Sequence, residues 1–186
     1  SRPEEFALLR AAWQAGVPVP EPLFEGMHAG KPFFVMRRLH GEANAVALGK
    51  AVGPQGDAAL VRQCGAALRR IHAITPPRPG LPFLGEAPAD AAQAFIAQMQ
   101  ARLDAAGTPR PVLEWGLAAL RRHAPPPVPS VLVHNDFRNG NLMVRDGVLQ
   151  GVLDWEFAAW GDPNQDIGWI CAPCWRFTHQ HLEAGG

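Results

Sequence analysis

Apolar side chains return at helical spacing from the start of the chain, where Phe6, Leu9 and Trp13 share one face of Glu4–Ala15. Gly16 stops that helix. The run Val17-Pro18-Val19-Pro20-Glu21-Pro22 must be extended, because each proline excludes its predecessor from the helical region. The next apolar cluster, Phe33 to Arg38 within FFVMRRL, is dense in aromatic and branched residues and predicts a strand. Gly30-Lys31-Pro32 reads as the turn leading into it.

Helical periodicity governs the middle of the chain. Leu60, Cys64, Ala67, Leu68, Ile71 and Ile74 trace one face of a long helix over Asp57–Ile74, with Asp57 as its N-cap. Lys50 falls before it in a small-residue loop, and Thr75–Pro82 is a proline-rich loop after it. A second helix runs from Asp90 to Ala106 through Phe95, Met99 and Leu103. A third runs from Val112 to His123 and is closed by Pro125-Pro126-Pro127. The pattern then shortens. Ser130–Val133, Leu142–Arg145 and Val148–Leu153 read as strands, the last two joined by Asp146-Gly147, a strong two-residue hairpin signal. Helix, strand, several helices and a terminal hairpin, without internal repeats, make an α+β arrangement.

Composition narrows the function classes. Among 186 residues, 17 basic side chains balance 17 acidic ones, which argues against a nucleic-acid partner. With 47% apolar and 18% charged residues the chain is globular rather than disordered. No apolar run reaches the length of a membrane span and no signal-peptide core leads the sequence, so no membrane partner is expected. Three cysteines make no disulfide framework and point to a reducing, cytoplasmic setting. The length fits one domain or most of one; nothing in it speaks to oligomeric state. Lysine is scarce: Lys31 and Lys50 stand against 15 arginines.

Chemistry concentrates in residues 131–156, VLVHNDFRNGNLMVRDGVLQGVLDWE. His134, Asp136 and Asn141 form H-x-D-x-x-x-x-N between a strand and the hairpin, and Asp154 follows at the hairpin's far end. A loop leaving a strand presents a carboxylate to a hydroxyl and an amide oxygen to a metal, and the hairpin returns a second carboxylate to the same place. Mg²⁺ takes oxygen ligands, often one or two from protein with the rest from substrate phosphates. Phosphoryl transfer needs that assembly. The motif alone arises by chance in roughly 1% of chains of this size, and the flanking strand and hairpin make it rarer. The bland alternative is a set of loop residues making local turn hydrogen bonds.

HNDFRNGN at 134–141, LDWE at 153–156 and GDPNQDIGW at 161–169 resemble the aminoglycoside phosphotransferase/choline kinase-like family, whose fold is protein-kinase-like. FALLRAAWQAGVPVPEPL is similar to that family's helix C and following loop, and PFFVMRRLHG to its hinge strand. The similarity is greatest to bacterial aminoglycoside phosphotransferase-like sequences, with relatives attached to acyl-CoA dehydrogenases. The resemblance implies residues 1–39 as the remnant of an N-lobe and 40–186 as a helical C-lobe. It implies Asp136 as catalytic base, Asn141 and Asp154 as Mg²⁺ ligands, and His134 as a structural member of the loop. Met36 would be the gatekeeper, with the backbone of Arg37, Arg38 and Leu39 meeting the adenine of ATP or GTP. Glu5, with Glu4 as the alternative, would be the helix C carboxylate. Asp166 would brace the catalytic loop, and Asp162-Pro163 would form the preceding turn. The implied activity is transfer of a phosphoryl group to a hydroxyl on a small molecule, an aminoglycoside or another metabolite.

The departures from the family pattern lie at the N-terminal side. A kinase-like site also uses a Gly-rich loop and a strand lysine. Neither is in the sequence, since Lys31 follows helix C and GMHAGK at 26–31 lacks P-loop spacing. The family also continues beyond GDPNQDIGW, so the expectation is a fragment lacking the first strands and last helices. A degenerate kinase-like nucleotide-binding or scaffolding module is the alternative, and an unrelated metal-dependent hydrolase a third. Cys171 and Cys174, with His179 and His181 nearby, favour core packing over a metal site. His72 reads as a satisfied core histidine and most of the tryptophans as core or pocket wall. Glu156 is open between assisting the site and a turn role, and Arg138 between touching phosphate and pairing with a carboxylate.

Overall fold

The structure, a computed structural model, describes residues 3–52 and 56–175. The first helix, α1 (Pro3–Gln14), packs its Phe6, Leu8, Leu9, Ala11 and Ala12 inward against a hairpin of β1 (Pro22–His28) and β2 (Lys31–Met36). Ala29 and Gly30, both at positive φ, form the tight turn between the strands. The turn therefore sits one residue earlier than expected. Lys31 and Pro32 already belong to the strand, which stops at Met36 instead of Arg38. β1 was not anticipated; its residues are mostly exposed and show no alternation of apolar and polar positions.

Lys50 lies on a helix, α2 (Ala45–Val52), rather than in a loop. Asn44 starts that helix by accepting the N–H groups of Val46 and Ala47 at 3.0 Å, a cap hidden among small residues. α3 (Ala58–Ile71) has Asp57 as its N-cap, as expected, but ends three residues short of Ile74. α4 (Ala91–Ala106) is capped by Asp90 and ends on left-handed Gly107, and α5 (Pro111–His123) pairs with α4. Arg69-Arg70 and Arg121-Arg122 fall in the last turns of α3 and α5, where cations suit the helix dipole.

Four short strands carry the site. β3 (Val131–Val133) pairs antiparallel with β6 (Ala159–Gly161), a three-residue strand too short to read from the sequence. β4 (Leu142–Arg145) pairs with β5 (Val148–Val152) around Asp146 and Gly147, both at positive φ as a type I′ turn requires. α6 (Asn164–Ile170) closes the described chain with a short 3-10 turn. One core joins α1, α3 and the strand segments, with Ile71, Ile74, Leu132, Phe137, Val152 and Trp155 almost wholly buried. Among the described residues no helix is long and apolar enough to cross a membrane.

Backbone ties fasten the segment before α2 and the segment after α1 to the β4–β5 hairpin. Glu42 exchanges both backbone hydrogen bonds with Val144, at 2.8 and 2.9 Å, and Val152 donates to the Pro18 carbonyl at 2.8 Å. Gly41 makes the first possible: at φ +155° a Cβ there would lie 2.6 Å from the Val144 carbonyl oxygen.

Candidate active site

The loop between β3 and β4 is braced from below by one buried carboxylate. Asp166, fully buried on α6, accepts the backbone N–H of His134 at 3.0 Å and of Asn135 at 2.7 Å. His72, the C-cap of α3, reaches the same carboxylate with Nε2 at 2.9 Å from Oδ2. Both expectations hold: Asp166 braces the loop and His72 is a satisfied interior histidine. Asp162 opens the turn before α6, accepting the N–H of Asn164 at 2.8 Å.

His134 is a structural member of the loop. Its ring lies against Trp155 and Phe137, with centroids 4.7 and 6.1 Å away. The backbone N–H of Asp136 donates to Nδ1 at 3.2 Å, and Nε2 sits 3.0 Å from the Leu153 carbonyl. A carbonyl only accepts and an N–H only donates, so the proton is on Nε2 and the ring is neutral. Burial pushes its pKa below the usual 6.5, against the opposing pull of Asp166, the Leu153 carbonyl, Asp136 and Asp154.

Asp136 is buried beside it. Its Oδ1 accepts from Arg138 Nε and Trp169 Nε1, each at 2.9 Å, and its Oδ2 from Asn141 Nδ2 at 2.5 Å. Asn141 Nδ2 also donates to the Asp136 carbonyl at 3.0 Å. Two acceptors identify that atom as the nitrogen. The amide oxygen of Asn141 is thereby turned away from Asp136. Leu153 N–H donates to the Asn141 carbonyl at 2.8 Å, which ties the chain to Asn141 one residue before Asp154. Asp154 is exposed and holds φ +63°, a left-handed conformation uncommon outside glycine.

Asn141 and Asp154 thus offer an amide oxygen and a carboxylate, the donor chemistry a small hard cation takes. Among the described residues no cluster of three or more His, Cys, Asp or Glu is set to hold a metal by protein ligands alone. A cation shared with substrate phosphates does not require one.

The remaining expected site residues lie on α1, at the end of β2 and in the segment that follows it. Met36 ends β2, and Arg37 donates its N–H to the Glu21 carbonyl at 2.8 Å and its Nε to the Glu21 carboxylate at 2.5 Å. Arg38 is exposed. Leu39 is half-buried and rests on β5, where a Cβ on Gly151 would come within 2.4 Å of its Cδ1. Glu5 lies in the first turn of α1 and is half-buried, while Glu4 is exposed. Lys31 is at the tip of the β1–β2 hairpin opposite His28, and Lys50 is exposed on α2.

Arg138 resolves to the carboxylate partner, and its guanidinium also stacks over the Trp175 ring at 4.5 Å. Glu156 is exposed in a turn. Cys171 is half-buried at the end of α6, Cys174 is exposed, and burial pushes the Cys64 thiol up to about 11, which makes it inert. His179 and His181 lie outside the described residues. Trp169 is the site residue that the sequence reading passed over. Its signal is its spacing: three residues beyond Asp166, it shares a face of α6 with the brace.

Residues 1–185 match the model of the phosphotransferase enzyme family. The chain is 29% identical over 173 residues to acyl-CoA dehydrogenase family member 10 of Mus musculus, covering 90% of this chain and 16% of that protein. It is 31% identical over 171 residues to viomycin phosphotransferase of Streptomyces vinaceus, covering 84% of this chain and 56% of that protein. The chain therefore spans about a sixth of the length of the first and little more than half of the second. Its backbone matches, at TM-score 0.63 and 20% identity, a thermostable mutant of aminoglycoside phosphotransferase APH(4)-Ia in ternary complex with ADP and hygromycin B, covering 89% of this chain and 60% of that one.

Proposed function

The chain belongs to the phosphotransferase enzyme family and has a protein-kinase-like α+β fold, and on that footing we propose that it transfers the γ-phosphoryl group of ATP, or GTP, to a hydroxyl of a small molecule. Asp136 receives the acceptor, and Asn141 and Asp154 hold Mg²⁺, which neutralises charge on the nucleotide phosphates when bound. Met36 to Leu39 form the adenine edge, Glu5 is the helix C carboxylate, residues 1–39 are the end of an N-lobe and 40–186 are C-lobe.

The observation that carries this reading is the orientation of Asn141. Its nitrogen is committed to Asp136 twice, so its oxygen is the end directed away from that carboxylate. A loop needing only turn hydrogen bonds has no use for an amide held that way. The acceptor class, an aminoglycoside or another hydroxylated metabolite, is supported by the relatives' names alone.

One observation favours the second reading, a kinase-like nucleotide-binding or scaffolding module without transfer. The two lysines lie at a hairpin tip and on an exposed helix face. The separating experiment is Mg²⁺-dependent ADP release by the intact protein with ATP and a panel of aminoglycosides and hydroxylated metabolites. Turnover lost in Asp136→Ala supports the transferase. Nucleotide binding without turnover supports the module. Phosphate release that no acceptor alters points to a hydrolase.

A further inference from the structure

A carboxylate has about four lone-pair positions, two on each oxygen. In Asp136, Arg138 Nε and Trp169 Nε1 take both positions on Oδ1, and Asn141 Nδ2 takes one on Oδ2. One position is left, on Oδ2. The donors are themselves held. Trp169 lies against Trp175 with centroids 5.2 Å apart, and the Arg138 guanidinium stacks on that same ring. The indole is a donor only, so this contact can form in one sense alone. The carboxylate is therefore fixed in rotation about its own bond by three donors from two elements.

We propose that Trp169 is a positioning residue for phosphoryl transfer: with Arg138 it saturates Oδ1 of Asp136, so that the acceptor hydroxyl is received at Oδ2, on the side of Asn141. The proposal rests on Asp136 being the acceptor-facing carboxylate. In the step it serves, the acceptor oxygen bonds to the γ-phosphorus while the bond from that phosphorus to the bridging oxygen breaks. ADP leaves with the bonding electron pair, and the hydroxyl proton passes to Oδ2 and then to solvent. A carboxylate free to turn would offer either oxygen, and the hydroxyl would lose its alignment with the phosphorus.

Trp169→Phe removes the N–H and keeps a ring against Trp175. Hydrogen bonds to charged groups are worth enough that kcat for ADP release should fall about 10-fold or more. KM for Mg·ATP and the melting temperature should stay near wild type. Trp169→His, which restores a ring donor, should recover part of the loss. In protein labelled with ¹⁵N-tryptophan, the Trp169 indole resonance should move in Asp136→Ala. A Trp169→Phe enzyme with wild-type kcat, or one whose loss is accompanied by an equal loss of stability that Trp169→His does not repair, overturns the proposal. Asp136→Ala separates the two levels: if it retains turnover, the role of Asp136 fails. If it abolishes turnover while Trp169→Phe is silent, only the positioning role fails.

Discussion

His72 and Asp166, 94 residues apart in the chain, meet with 2.9 Å between Nε2 and Oδ2. The contact makes one buried carboxylate the joint of three elements: the end of α3, the start of α6, and the loop that carries Asp136. The loop's geometry is consequently set from beneath by interior hydrogen bonds to its backbone, separate from the bonds between the Asp136 and Asn141 side chains.

Asp166→Ala leaves the N–H groups of His134 and Asn135 without their acceptor. Each buried orphan donor costs about 1–3 kcal/mol, so urea unfolding should show a loss of roughly 3–5 kcal/mol. His72→Ala removes one partner of the carboxylate and leaves both N–H groups satisfied. It should cost about 1–2 kcal/mol. Equal losses in the two variants would show that Asp166 depends wholly on the histidine.

The neutral His134 ring gives stability a defined acid limb. In the fold its pKa is depressed by burial, while the unfolded chain titrates near 6.5. Between those values the unfolded state binds the extra proton, so stability falls as pH drops below about 6.5, by at most about 1.4 kcal/mol per pH unit from this group. Above that value it adds no slope. Unfolding free energy followed from pH 7.5 to 5 should decline more steeply in the wild type than in His134→Asn. Parallel curves would reject the assignment.

Asp154 separates backbone tolerance from charge. Asn accepts the left-handed conformation about as readily as Asp, so Asp154→Asn should fold normally. Its Mg²⁺-dependent turnover should fall by about 10²-fold or more, with the loss partly offset by raising Mg²⁺. Asp154→Val also forces a branched residue to positive φ and should cost about 1–3 kcal/mol in addition. An Asp154→Asn enzyme with wild-type Mg²⁺ dependence would remove this residue from the metal site.

Gly151→Ala tests the hinge. Its added methyl meets the end of the Leu39 side chain, which can swing away, and its next neighbours stand at an ordinary 3.6 Å. Stability should change by less than about 1.5 kcal/mol. On the proposed reading KM for ATP should rise severalfold with kcat little altered, because Leu39 would be displaced from the proposed adenine edge. Calorimetry of nucleotide binding reads the effect directly.

What could be read from the sequence was what is local. Asp57 and Asp90 announce their helices because a cap acts within three residues, and Asp146-Gly147 fixes the hairpin because the turn's dihedrals admit few other pairs. The motif residues followed from spacing and from family resemblance, and His134, Asp136 and Asn141 fall together as that implied. β1 was illegible because Leu23-Phe24-Glu25-Gly26-Met27-His28 is exposed along most of both faces, which leaves no alternation to read. α2 was obscured by small residues and Gly49, and β6 exists only because β3 lies beside it. The bond from Trp169 to Asp136 spans 33 residues and depends on how α6 lies on the loop, which periodicity does not encode.

The tie between Glu42 and Val144 bears on how such a protein could evade a blocking compound. Residues 39–42 and the β4–β5 hairpin that leads to Asp154 are stitched together by the paired backbone bonds of Glu42 and Val144 and by Leu39 resting on Gly151. On the proposed reading, a nucleotide-competitive inhibitor that presses on the hinge presses on the metal ligand as well. Substitutions that expel it would re-aim Asp154 and slow turnover. Resistance through this segment is self-limiting.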